Sequence, residues 1–387
     1  MTVSSYAGKY NIFPVTDPIS FEFYLKQSAQ MWPAKEIRIS MDKEQFLTLS
    51  PRYQELVYDI LAFFAPGDGL VSQQILGFIN KTENFGQQAM LFWQGAIEIV
   101  HAHAYSDAIQ TLCPRKKRRE VFNAVDKLPC VRAKADFISE YMGSDKYPLS
   151  VKYLAGAISE GIFFVSLFSI VFYLKDKNLL DRFCFLNTQV SKDEFLHRNF
   201  NIMMAYKLGI EDCLASGRPV ELTEDIVREM LTKAIEIERA HIGYILRTPI
   251  DSVEIDETEG MTIENNMRYV ATLADQIAIG LKYNPMFTVH ESVVLAEGDT
   301  RVYEIALKWM AKASWMNKTN FYEGDPDSYT SASLKDMIDE FYRMMKISDE
   351  GSDSDSEAEG QRERRGDEGN DRAKIAEAFA NPCDVDI

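Results

Sequence analysis

Tyr153-Leu-Ala-Gly-Ala-Ile-Ser-Glu160-Gly-Ile-Phe-Phe-Val-Ser-Leu-Phe-Ser-Ile-Val-Phe-Tyr-Leu174 is the most apolar run in the sequence, and Glu160 is its only charge. By length and hydropathy it could cross a bilayer. A lone glutamate at membrane depth is costly, however. The run therefore reads as a buried helix carrying a functional carboxylate, with no membrane partner. A buried carboxylate needs compensation from neighbouring groups, and other parts of the sequence must supply them.

Proline placement allows long helices on both sides of this run. No proline falls between Pro148 and Pro219, between Pro219 and Pro249, or between Pro249 and Pro285. Apolar residues recur at helical spacing at Leu70, Ile75 and Phe78, at Met90, Phe92, Trp93, Ile97, Val100 and Ala104, and at Ile226, Met230, Ala234 and Ile237. No convincing alternating strand interrupts them. The expected architecture is all-α: an irregular arm over residues 1–20, then one helical domain over 21–345. From Ser348 the composition turns to acidic and small residues, then to mixed charge. Residues 346–374 are thus expected to be a disordered linker. Apolar character returns over 375–387, as expected of a docking peptide on a tether.

Bulk composition narrows the function. The 387 residues are 46% apolar and 26% charged, as in a globular protein. The formal charge of −17 argues against nucleic acid as a partner. Five scattered cysteines without a CxxC pair fit a reducing, cytoplasmic setting better than a disulfide framework or a zinc site. Met1 to Phe13 lacks the basic start and apolar run of a signal peptide, so export is not expected.

Only five histidines occur, and three close a Glu-x-x-His: Glu98 with His101, Glu194 with His197, and Glu238 with His241. On a helix such a pair shares one face and can present a carboxylate and an imidazole to one point. One pair alone is usually a surface feature. Here Glu98-Ile-Val-His101 lies in an apolar helix, and Asp68 follows an aromatic stretch ahead of a helix, where it could also serve as an N-cap. One acid from each of two helices and an ExxH from each of two others is the ligand pattern of ferritin-like di-iron carboxylate bundles. Asp68, Glu98 with His101, Glu160, and Glu194 with His197 supply that set in order. Four carboxylates balance two divalent cations, and oxygen-rich ligation with two imidazoles suits iron or manganese. Glu238 and His241 sit among charged residues and are expected on a solvated face. His103 and His290 lack a ligand-spaced partner and are expected at the surface.

The residues resemble, over nearly the whole chain, the small subunit of ribonucleotide reductase in its aerobic, tyrosyl-radical form. Five ordered blocks carry the resemblance: Phe63-Phe-Ala-Pro-Gly-Asp-Gly69, Glu98-Ile-Val-His-Ala-His-Ala-Tyr105, Glu160-Gly-Ile-Phe-Phe164, Ser191-Lys-Asp-Glu-Phe-Leu-His197 and Lys318-Thr-Asn-Phe-Tyr-Glu323. It implies two iron ions per chain, with manganese as the alternative. Asp68, Glu98 and His101 would hold one and Glu160, Glu194 and His197 the other, with Glu98 and Glu194 able to bridge. It further implies a radical on Tyr105 inside a pocket of Phe164, Phe168 and Val190, with Asp193 joining His101 to the electron-passing Trp32. Trp93 would be core. Tyr329 would relay the radical to a large subunit docked by 375–387, and the chain would form a homodimer.

The sequence also departs from the family. Asn284-Pro285 and Trp309-Met310 are nearly adjacent in the family, whereas residues 286–308 separate them here, and the terminal phenylalanine of the docking peptide is replaced by Ile387. A di-iron oxygenase or desaturase would use the same six ligands without Tyr105 or Trp32. A ferroxidase or other iron-binding homologue would also need no radical. Ser352, Ser354 and Ser356 each precede an acid by three residues, a pattern suited to acid-directed phosphorylation, although a plain acidic spacer explains it equally simply.

Overall fold

The computed structural model describes residues 10–247 and 261–287, and every regular element among them is helical. Helix α1 (Pro18–Ala29) begins inside the expected arm, because the Asp17 carboxylate accepts the Ser20 N–H and Pro18 occupies the first turn. After two short 3₁₀ turns and α2 (Lys43–Thr48) come the two long helices α3 (Pro51–Lys81) and α4 (Phe85–Leu112). Ser50 caps α3 and Asn84 caps α4. The short helices α5 (Arg115–Phe122), α6 (Ala124–Lys127) and α7 (Pro129–Ile138) lead into α8 (Leu149–Ile158) and α9 (Val165–Asp176). Then follow α10 (Asp181–Tyr206), the single turn α11 (Asp212–Ala215), α12 (Glu224–Ile245) and α13 (Ile263–Gly280).

Helix α3 corrects one expectation. It runs straight through Pro66, so Asp68 lies in mid-helix and cannot be an N-cap. A proline inside a helix costs about 3 kcal/mol. Burial of Ile60, Leu61, Phe63 and Phe64 before it, and of Val71 and Ile75 after it, offsets that cost.

The bundle pairs α3 with α4, and α10 with α8 and α9, while α1 lies along α4 and α13 along α12. The apolar run around Glu160 lies at the centre. Leu149–Asp176 is long and apolar enough to pass for a membrane span, but 94% of its most apolar window is buried inside the protein. It is not one uniform helix either: between α8 and α9, Ser159–Phe164 forms a π turn, and Glu160 sits on it. π turns often mark functional positions, and apolar spacing alone cannot reveal one.

Three apolar positions fall outside the expected core. Phe92 and Ile226 are exposed and Trp93 is half-buried. Tyr329, His290, Cys383, the three tail serines, the expected linker and the expected docking peptide lie outside the described residues, as do 288–308 of the extra segment.

Candidate metal centre

Four elements deliver the six expected ligands to one buried point. Asp68 comes from α3, Glu98 and His101 from α4, Glu160 from the π turn, and Glu194 and His197 from α10. All six are fully buried. Ligand atoms of Asp68, Glu98, His101 and Glu194 lie within 4.8 Å of one another, as do those of Glu98, Glu160, Glu194 and His197. The two groups share Glu98 and Glu194. His101 Nδ1 is 3.3 Å from Glu98 Oε2 and 3.1 Å from Glu194 Oε1, while His197 Nδ1 is 2.9 Å from Glu98 Oε1 and 3.1 Å from Glu194 Oε2.

The electrostatics are those of a site short of positive charge. Burial drives the Asp68 and Glu160 carboxyls well above the usual range; Glu98 and Glu194 add to both shifts, and His101 partly offsets that of Asp68. Burial opposes the charged form of Glu194 as well, yet hydrogen bonds from His101 and His197 win and hold it at about 2. His197 is likewise disfavoured as a cation by burial but is raised to about 9 by Glu98 and Glu194. Both oxygens of Asp68 and of Glu98, Glu160 Oε2, Glu194 Oε1 and His101 Nδ1 have no partner in hydrogen-bonding geometry. So many orphaned buried atoms aimed at one volume are what a pair of divalent cations would satisfy, and the oxygen-rich set with two imidazoles suits iron or manganese.

Around the ligands lies a second layer that the sequence revealed only in part. Asp193 lies where expected: its Oδ2 is 3.1 Å from His101 Nε2 and accepts from Trp32 Nε1 at 2.9 Å, and the Trp32 ring stacks on His101. Sequence reasoning missed Gln27. Its amide donates to Asp193 Oδ1 at 3.1 Å and its Oε1 lies 2.9 Å from His197 Nε2. One side chain from α1 thus orients the outer faces of both histidines, so that each Nδ1 faces the ligand cluster. Gln94, also missed, donates to Glu160 Oε1 at 3.0 Å, and as the residue one turn before Glu98 it shares that helix face.

Tyr105 is fully buried one turn beyond His101, and its hydroxyl donates to Asn187 Oδ1 at 3.0 Å. Asn187 in turn donates to the Phe183 carbonyl, which fixes its amide orientation. Asn187 could have been found: it lies two helical turns before Glu194. Burial, then Asp68, Glu194 and Glu98, push the Tyr105 phenol well above its usual range. The ring stacked directly on Tyr105 is Phe64, at 4.9 Å, and the expected Phe164 and Phe168 pack behind it at 5.9 and 5.2 Å from Phe64. Val190 is buried as expected.

The pair Glu238 and His241 contradicts its expected solvated face, since both are fully buried. Helix α12 turns this stripe inward, and Glu238 can be there because Lys134 Nζ, also fully buried, lies 2.7 Å from its Oε2. His241 has no partner at either ring nitrogen. His103 is half-exposed beside Asp107, as expected of a surface residue.

With this geometry in view, comparison with known proteins gives one answer. The family described as "Ribonucleotide reductase, small chain" matches residues 9–293. A ribonucleoside-diphosphate reductase small subunit of Arabidopsis thaliana is 30% identical over 332 residues, 84% of this protein and 86% of that one. Among solved structures, the Rnr4 homodimer of Saccharomyces cerevisiae superposes with a TM-score of 0.61 at 21% identity, covering 76% of this protein and 90% of that one. The dimanganese(II)-NrdF of Streptococcus sanguinis does so with a TM-score of 0.60 at 21% identity, covering 76% and 98%. The protein belongs to the ribonucleotide reductase small-chain family, whose members are the small subunits of ribonucleoside-diphosphate reductase, an oxidoreductase.

Proposed function

We propose that the protein holds two iron ions, with Asp68, Glu98 and His101 at one and Glu160, Glu194 and His197 at the other, and that Tyr105 is its radical residue. The observation that carries this reading is the pair of buried ligand groups sharing Glu98 and Glu194, with a sealed tyrosine one turn along α4. Two bound reduced ions supply the electrons that reduce O2 and the oxidising power that takes an electron and a proton from a phenol.

The protein's own residues set the conditions. Phe64, Phe164 and Phe168 exclude water and reductants from Tyr105, and Asn187 holds the phenol proton at its Oδ1. Trp32, Asp193 and His101 form a continuous hydrogen-bonded line from outside the ligand layer to the ligands. Along that line an electron can enter, and the radical equivalent can leave toward Tyr329 and a large subunit that holds the nucleotide. The apolar end 375–387 would dock that subunit. Two copies of the protein would pair across Leu76, Phe92 and Ile99, which are 62%, 55% and 65% exposed on α3 and α4. The buried, unpaired thiols of Cys113, Cys130, Cys184 and Cys213 support a cytoplasmic setting.

Electron paramagnetic resonance tests the reading. Metal-free protein is loaded anaerobically with ferrous iron, exposed to O2, and compared with Tyr105→Phe. A tyrosyl doublet in the unaltered protein alone is expected. Two bound irons with no doublet would favour an oxygenase or ferroxidase, or manganese as the working metal, which the same experiment with manganese then separates.

A further inference from the structure

Glu160 is the one ligand not carried by an α-helical turn. The π turn that bears it is pinned on two sides. On one side Gly161 lies under the Arg198 side chain, so close that a Cβ there would collide with Arg198 Cδ; Arg198 itself is held by Gln276 and Asn199. On the other side stands a charged cluster that the metal centre does not use. Lys134 of α7 donates to the Phe163 carbonyl at 3.1 Å, inside the π turn, and its Nζ is 2.7 Å from Glu238 Oε2. Glu238 Oε1 also accepts from Ser166 Oγ at 2.5 Å, just past the end of the turn. Lys134 and Glu238 are both fully buried, and Lys134 Nζ lies 4.2 Å from the centre of the Phe63 ring, which packs on Phe164.

An ion pair buried this completely is expensive for a purely structural contact, and apolar residues of similar size are often as stable or more so. What the pair provides here is direction. It grips the carbonyl of Phe163 and the hydroxyl of Ser166, the two polar groups that flank the exit from the π turn, three and six residues beyond Glu160. We propose that Lys134 and Glu238 are positioning residues for Glu160: their ion pair holds the π turn in the register that presents this carboxylate to the metal centre. The inference rests on Glu160 being a metal ligand.

The test is anaerobic titration of the full-length protein with ferrous iron, reading ions bound per chain and the dissociation constant of the weaker one. The variants are Lys134→Met with Glu238→Met, which removes both charges together, Glu160→Ala, and all three combined. The charge-free pair is expected to stay folded, to keep one ion with unchanged affinity, and to bind the second at least tenfold more weakly. Glu160→Ala should produce the same pattern. The triple variant should be no worse than Glu160→Ala alone, because groups acting through one another are non-additive.

Unchanged second-ion affinity in the folded pair variant would overturn the proposal, as would an additive loss in the triple variant. If Glu160→Ala keeps both ions at full affinity, the ligand assignment itself has failed, a result distinct from the other two. If the pair variant does not fold, Ser166→Ala replaces it, since it removes one arm of the grip and leaves the ion pair in place. A several-fold weaker second ion is expected there, and no change would overturn the proposal.

Discussion

His241→Leu should stabilise this protein, and more so in acid. The imidazole is fully buried with neither ring nitrogen partnered, against the edge of the Phe63 ring. An unsatisfied buried polar group costs about 1–3 kcal/mol, and leucine has a similar volume without that cost. A second contribution depends on pH. Burial, with Lys134 nearby, pushes His241 well below its ordinary value of 6.5, so the folded protein keeps the ring neutral where the unfolded chain protonates it. Below pH 6.5 the unfolded state therefore binds the extra proton, and stability falls as pH falls. At pH 5.5 this penalty is about 1.4 kcal/mol, and at pH 7.5 it is below about 0.1 kcal/mol. Urea unfolding of both proteins at the two pH values, with identical metal loading, isolates the term. Titrations of His101 and His197 occur in both proteins and cancel in the difference. The leucine variant should be ahead by about 1–3 kcal/mol at pH 7.5 and by about 1.4 kcal/mol more at pH 5.5. A gap that does not widen in acid would refute the neutral buried imidazole. A variant less stable than the parent at both pH values would show that the ring has a partner.

Other perturbations read the outer layer of the metal centre. Asp193→Asn should leave iron bound but slow formation of the Tyr105 radical at least tenfold in stopped-flow absorbance, since it weakens the hydrogen-bonded link between Trp32 and His101; unchanged kinetics would count against that route. Gln27→Leu strips a partner from both Asp193 and His197, and iron affinity by competitive chelation should fall roughly 10–100-fold. Gly161→Ala drives a methyl into Arg198 and should cost about 1–3 kcal/mol in thermal or urea unfolding, with a loss under about 0.5 kcal/mol contradicting the close approach.

The inner ligands were legible because each is a chemical anomaly in its surroundings. Glu160 is alone in an apolar run, and Glu98 with His101 interrupts an apolar face. Helical spacing then does the rest, since i and i+3 must share a face. Gln27 was not legible for the complementary reason: an uncharged amide near the start of the chain is ordinary in sequence, and only tertiary packing brings it to residues 166 and 170 positions away. The π turn escaped because it alters register without altering composition. Glu238 and His241 were misplaced because a charge-rich helix was read as exposed along its whole circumference. Their partner Lys134 lies on α7, more than a hundred residues earlier, and no local pattern announces an ion pair of that span.

The reach of Gln27 and Trp32 has a further consequence, which concerns timing. Their partners Asp193 and His197 lie 161 to 170 residues further along the sequence. During synthesis the first helix must wait while α3, α4 and the central apolar run emerge, and only then can it close over the two histidines. Pairings of such long range form late in folding, after the local helices. Metal capture by this protein thus belongs to the period after most of the domain has left the ribosome, and a nascent polypeptide cut anywhere before His197 would carry a half-built site with no imidazole at its second position.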